Sequence, residues 1–318
     1  MTLHAGFPRP IQTVRGPIPF DLLGVTDAHN HLWIEPPAGA EPGCPVLNRQ
    51  DIILAELIDY RKSGGSAILD CQPGGCGRDG NRLRALSSAS GVEIVACTGF
   101  HRRKYYSPDY WLWASTAEEA ALAFREELQT GLAETRADLF PIRAGFIKLA
   151  LEASLGETPQ AVLQGAAQAA AETGAAIEVH TEKGAMAREA FAFFQKAGVP
   201  AGQLVFCHMD KRADFSLHAD LARAGVLLEY DTFFRPQYEP EKNLWSLLDK
   251  MAAEILCSQI ALATDMADAS LYRSLGKGPG LASLPTLIRA RLEERGFSNE
   301  AIRQMLGENI ARRLAGLT

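Results

Sequence analysis

The chain has 318 residues, 47% of them hydrophobic and 22% charged, the composition of a globular protein with one sizeable core. Its formal net charge of −6 and pI near 5.7 offer no field to a polyanion, and no Lys/Arg-rich run marks a nucleic-acid arm, so nucleic-acid binding is not expected. No stretch reaches the length of a membrane span, the opening MTLHAGFPRPIQTVRGPIP lacks the apolar core of a secretory signal, and the six cysteines form neither CxxC pairs nor a disulfide scaffold. A cytoplasmic protein with reduced, mostly buried thiols and no membrane partner is the expectation.

Short β-rich runs alternate with stretches of three- and four-residue apolar spacing along the whole chain. Strands are predicted at 22–29, 66–71, 93–99, 145–150, 176–181, 203–207, 226–231 and 259–264. Helices are predicted at 51–63, 116–136, 159–173, 185–196, 214–223, 244–256, 283–295 and 299–314. Ser298 followed by Glu300 reads as a capped helix start, and Gly198, Gly225 and Gly296 stand where helices should stop. Eight βα units without a repeat, linker or seam predict a single domain over residues 1–318, an α/β protein folded as a (β/α)8 TIM barrel.

The first strand ends in Asp27-Ala28-His29-Asn30-His31. Alternate residues of a strand face one side, so His29 and His31 project together and can share one ion, while Asn30 points away. Asp27 and Glu178, each two residues before a histidine, also face inward and lack an evident partner. Lys148 lies in the fourth strand, His180 in the fifth, His208 after the sixth and Asp265 after the eighth. Taken singly these are a snorkelling lysine, two core histidines and a helix-capping aspartate. In a barrel, however, all strand C-termini open on one face, where active sites are built, so the separated residues become one cluster. An ammonium has no lone pair for a metal, but burial among apolar neighbours is expected to lower the Lys148 pKa. The neutral amine can then add CO2 and become a carbamate with two oxygens to offer. Mixed nitrogen and oxygen ligands suit two divalent ions, zinc first, with manganese, cobalt or iron as alternatives.

The segments Thr13-Val14-Arg15-Gly16-Pro17, Gly24-Val25-Thr26-Asp27-Ala28-His29, Gly75-Cys76-Gly77-Arg78-Asp79, Phe146-Ile147-Lys148, Val179-His180-Thr181, Cys207-His208-Met209-Asp210, Thr264-Asp265 and Gly307-Glu308-Asn309 resemble the phosphotriesterase-related family of the amidohydrolase superfamily. That resemblance implies one metal on His29, His31 and Asp265, another on His180 and His208, and a carboxylated Lys148 bridging them; it also makes a homodimer reasonable. Two departures are visible. The family usually has Glu where this chain has Asn30, and related lactonases often carry Tyr after the third strand where this chain has Phe100 and His101, with Tyr105 and Tyr106 as possible substitutes.

Two such metals share a hydroxide and polarise a carbonyl or phosphoryl oxygen, and Asp265 is the natural proton acceptor. The loops after the strands hold Arg102, Arg103, Lys104, Lys183, Lys211, Arg212, Arg235, Arg273 and Lys277, a rim suited to an anionic small molecule. The segments 230–238 and 271–280 look like loops of relatives acting on lactones, some bearing phosphate, which nominates Arg235, Tyr238, Tyr272 and Arg273 as substrate contacts, with His101 joining them from the position after the third strand. Gly74-Gly75-Cys76-Gly77 lacks the Gly-Lys-Ser/Thr of a phosphate loop and reads as a turn. The expected function is a metal-dependent lactonase or carboxylic ester hydrolase. The alternatives are an amidase or N-acyl deacylase, a weak phosphotriesterase, and a metal-free binding protein on the same barrel.

Overall fold

A computed structural model describes residues 8–275 and 278–317. The chain opens with a small antiparallel hairpin, β1 (Ile11–Thr13) and β2 (Gly16–Ile18), whose Ile11 joins the apolar cluster inside the barrel. Eight parallel strands follow in sequence order: β3 (Thr26–Asn30), β4 (Ala67–Asp70), β5 (Glu93–Gly99), β6 (Phe146–Ala150), β7 (Ile177–His180), β8 (Leu204–Cys207), β9 (Leu227–Tyr230) and β10 (Ile260–Leu262). Nearly every strand residue is buried, because one face fills the barrel and the other meets helices. Ala28, Leu69, Val95, Phe146, Val205, Leu227 and Ala261 pack inside, whereas Ile68, Ile94, Ile147, Ile177, Leu204, Leu228 and Ile260 belong to the layer between strands and helices.

The helices are α1 (Gln50–Lys62), α2 (Gly80–Ser90), α3 (Ala117–Gln129), α4 (Gln160–Thr173), α5 (Ala187–Lys196), α6 (Phe215–Arg223), α7 (Leu244–Ala253), α8 (Arg289–Glu294), α9 (Asn299–Arg303) and α10 (Asn309–Leu314). Three departures from the sequence expectations are seen. Helix α2 was not among the predicted helices, although Asp79 caps it by accepting from Arg82 N at 3.0 Å. The helix predicted over 116–136 stops at Gln129, and the chain folds back there into turns, with Gly131 so close to Pro141 that a Cβ would stand 2.6 Å from it. The stretches 283–295 and 299–314 contain π-helical segments at Leu284–Ile288 and Gln304–Glu308.

No ladder joins β10 to β3 among the described residues. A backbone bond from Asp265 N to His29 O, 3.0 Å, crosses the seam, and Asp27 completes it. Its carboxylate accepts from Thr264 N at 3.1 Å, Thr264 Oγ1 at 2.5 Å and Asn30 Nδ2 at 2.9 Å. Asp27, predicted to face the barrel interior, instead finds its partners at this seam, while its neighbour Ala28 packs inside. Asn30 does not simply point away, as strict alternation predicts: the register shifts between Asp27 and Asn30, and its amide bonds Thr264 Oγ1 at 2.9 Å while its oxygen accepts from His31 N.

Candidate metal centre

All six predicted ligand residues meet at the C-terminal mouth of the barrel. His29 Nε2 and His31 Nε2 lie 3.9 and 3.8 Å from Asp265 Oδ1, and these three residues form one group able to hold an ion. His208 Nε2 and His180 Nδ1 stand 2.9 Å apart, and the His208 ring is 4.8 Å from that of His29. Both His208 (φ 60°) and Asp265 (φ 45°) adopt left-handed backbone at strand ends, a conformation uncommon for residues other than glycine.

Each imidazole has its outward nitrogen occupied. His29 Nδ1 lies 2.8 Å from Glu229 Oε1, His31 Nδ1 2.8 Å from Gln72 Oε1, His208 Nδ1 2.6 Å from Asp231 Oδ2, and His180 Nε2 3.1 Å from Glu182 Oε1. An acceptor at one ring nitrogen places the proton there and the lone pair on the other. Lone pairs therefore converge from Nε2 of His29, His31 and His208 and from Nδ1 of His180. Two lone pairs at 2.9 Å repel unless a cation lies between or one is protonated.

The charges around the rings tell the same story. Burial, then repulsion from Asp210, Asp265 and Glu229, raises the Asp231 pKa well above the usual range; burial likewise raises that of Glu229. Glu178 Oε2, Glu229 Oε2 and Asp231 Oδ1 are buried with no hydrogen-bond partner among the described residues. Burial opposes a charge on His29, yet Cys71, Glu229 and Glu178 outweigh it and raise its pKa well above normal. Burial holds His31, His180 and His208 on the neutral side, which keeps their lone pairs available, and the nitrogen and carboxylate donors gathered here fit divalent ions of the zinc type.

Lys148 corrects one expectation. Its neighbours inside the barrel are polar: Nζ lies 2.6 Å from Glu178 Oε1, 3.2 and 3.3 Å from the two His29 ring nitrogens and 3.5 Å from Cys207 Sγ. The β6–β7 register sets Lys148 directly opposite Glu178. Burial works against the ammonium, but Cys207 and Glu178 outweigh it, so the pKa is raised rather than lowered. This cross-strand pair is also the partner that Glu178 needed. Behind Lys148, Gly99 (φ 110°) is irreplaceable in shape, since a Cβ there would stand 1.9 Å from Lys148 O.

The predicted substrate contacts divide. Arg235 Nη2 donates to Asp265 Oδ2 at 3.0 Å and to the Asp265 carbonyl, while its Nε is buried without a partner among the described residues. Burial, then Arg235, His29 and His31, acts on Asp265, and the positive groups prevail, holding it at about 2. Lys211 Nζ lies over the half-buried Tyr238 ring at 5.5 Å; burial opposes its charge, but Asp231 and Asp265 raise its pKa. His101 Nδ1 accepts from Arg102 N at 2.8 Å, so its proton sits on Nε2, and its ring lies 5.2 Å from His180 and 6.4 Å from His31. Burial and those two rings push its pKa well below normal, leaving an uncharged donor beside the centre.

Tyr272 is not a substrate contact: it is 1% exposed and its hydroxyl donates to His31 O at 3.1 Å, bracing the ligand strand. Arg273 is exposed. Tyr106 is spent accepting from His101 N at 2.8 Å, Phe100 packs edge-on against Trp113, and Tyr105 packs edge-on against His101. The rim is less basic than the sequence suggests, because Arg102 pairs with Glu152 and Glu182, and Arg212 with Asp214. Lys277 lies outside the described residues.

The acceptors Gln72, Glu182, Glu229 and Asp231 escaped the sequence analysis. Glu229 and Asp231 carried a signal, two acids at inward period in a predicted strand; the other two carried none.

Comparison with known proteins adds an independent line. The profile of the Phosphotriesterase family matches residues 9–314. A phospho-furanose lactonase from Mycoplasmopsis synoviae is 29% identical, covering 96% of this chain and 91% of its own length. An N-acetyltaurine hydrolase from Tetraodon nigroviridis is 25% identical, covering 94% of this chain and 96% of its own. The crystal structure of a lactonase from Listeria monocytogenes superposes with a TM-score of 0.87 at 23% identity, covering 97% of this chain and all 100% of its own, and supports the barrel fold.

Proposed function

Because the chain belongs to the phosphotriesterase family, we propose that it is a metal-dependent lactonase acting on a small anionic lactone, with phosphate as the favoured anion. His29, His31 and Asp265 would hold one divalent ion, zinc by the donor set, and His180 with His208 the other. Lys148 would complete the centre as a carbamate, formed when its ammonium and CO2 together release two protons; the remaining N–H keeps Glu178 as its acceptor. When bound, the ions lower the pKa of water and polarise the scissile carbonyl.

The chain's own residues do the rest. Asp265 accepts the proton of the attacking water and passes it to the leaving alkoxide. His101 donates from Nε2 to the substrate's polar edge without bringing charge. Arg235 and Lys211 bind the anionic substituent, with Tyr238 beneath Lys211.

One observation carries the anionic substrate: the buried Nε of Arg235, beside the candidate centre, has no partner among the described residues. A donor in that state waits for an acceptor. The test is a panel of five-membered lactones, with and without a phosphate, assayed on zinc-loaded protein. Lys211→Ala is expected to raise KM for the phosphorylated lactone on the order of tenfold or more and to leave neutral lactones unchanged, since a charged hydrogen bond contributes about 1.5–3 kcal/mol. Turnover of N-acyl compounds with none of any lactone would favour the amidase reading, to which the N-acetyltaurine hydrolase likeness lends support.

A further inference from the structure

Three of the four ligand imidazoles are oriented from inside the barrel, where Gln72 is 4%, Glu229 0% and Asp231 1% exposed. The fourth is oriented from outside. His180 Nε2 meets Glu182 Oε1 at 3.1 Å, and the Glu182 side chain is 42% exposed. The loop after β7 is pinned at its root, where Thr181 Oγ1 donates to Cys207 O at 2.8 Å and accepts from Gly184 N at 3.1 Å. Beyond the root it runs through left-handed backbone at Lys183 (φ 58°) and Met186 (φ 60°).

Glu182 itself is held from two other loops. Arg102, beyond β5, reaches it with Nη1 at 3.5 Å and reaches Glu152, beyond β6, with Nε at 3.2 Å. Glu152 in turn accepts from Arg103 N at 2.9 Å. As an ordinary surface ion pair this would contribute little. Its other end, however, is a ring nitrogen of a metal ligand, where a hydrogen bond decides which nitrogen faces the ion.

We propose that Glu182 is the positioning residue of His180, holding Nε2–H so that Nδ1 faces the ion shared with His208, and that this half of the centre exchanges its ion more readily than the other. The inference rests on the two-ion reading above. Its physical basis is the contrast in shielding: water competes for the Glu182 bond and not for the buried acceptors of His29, His31 and His208. Loss of such an outer acceptor weakens metal binding by about 10- to 100-fold.

The experiment compares the full-length wild type with Glu182→Ala, Glu182→Gln and Arg102→Ala, each freed of metal and titrated with Zn2+ against a chromophoric chelator. Circular dichroism and thermal unfolding of the metal-free proteins check the fold. The wild type is expected to bind two ions, the second more weakly. In Glu182→Ala the first ion should bind as in the wild type and the second about 10- to 100-fold more weakly. Glu182→Gln, which keeps an acceptor oxygen, should recover part of the loss, and Arg102→Ala should fall between. Unchanged binding of both ions in Glu182→Ala would overturn the proposal, as would an equal weakening of both. A folded wild type that takes no metal would overturn it together with the metal reading, whereas two-ion binding without lactone turnover would leave it standing and remove the substrate assignment alone.

Discussion

Asp265→Asn is expected to lower kcat by about three orders of magnitude, within the range for losing a general base at a site that also loses a charged ligand. The substitution is nearly isosteric. The seam bond from residue 265 N to His29 O and the Arg235 contact to the residue 265 carbonyl both survive, so the fold should hold. What goes is the anion that stands 3.9 and 3.8 Å from two imidazole nitrogens. Weaker binding of the ion held by His29 and His31 should accompany the loss. Initial rates at matched metal content check this; a variant within tenfold of wild type would remove Asp265 from the proton-accepting role.

The largest stability effect is expected far from the chemistry, at Arg78. Its guanidinium is buried and forked onto Glu127, with Nη2 to Oε1 at 2.6 Å and Nη1 to Oε2 at 3.0 Å, and onto Glu134, with Nε to Oε1 at 2.8 Å. Nη1 also donates to Cys97 O at 2.6 Å, tying the network to β5 beside Gly99 and the strand that carries Lys148. Arg78→Met leaves two carboxylates without their cation, one of them in Glu127, which is only 9% exposed. Breaking a buried pair from one side costs about 3–5 kcal/mol. Urea unfolding should show a loss of that order, and Glu127→Gln in the Arg78→Met background should restore part of it. A loss under about 1 kcal/mol would mean that the network is hydrated and weak.

The residues that gather at the candidate centre were legible because two simple rules place them: strand C-termini converge in a barrel, and alternate strand residues share a face. His29, His31, Lys148, His180, His208 and Asp265 follow from those rules without any long-range information. The surroundings of Lys148 do not. Its chain neighbours Ile147 and Leu149 are apolar, but they face the helices, while the neighbours that set its charge come from other strands: Glu178, Cys207 and His29. Local composition therefore suggested a depressed pKa where cross-strand register produces a raised one.

The same limit hid the acceptors of the imidazoles. Glu229 sits on a predicted strand at inward period, yet nothing local says that it faces His29 across the barrel. Tyr272 was placed in the right loop with the wrong destination, since only the folded loop turns its hydroxyl under His31. The rim cations were visible, but their pairing was not: Arg102 and Arg212 are committed to carboxylates of the loops, Arg235 to Asp265 of the candidate centre, and Lys211 lies over Tyr238.

The central claim is metal dependence, and chelation of the purified wild type tests it most directly. Removing metal should abolish lactone hydrolysis, and titrating zinc back should restore it in step with the binding of two ions per chain. Hydrolysis that persists in rigorously metal-free protein, or folded protein that never takes up metal, would contradict the account.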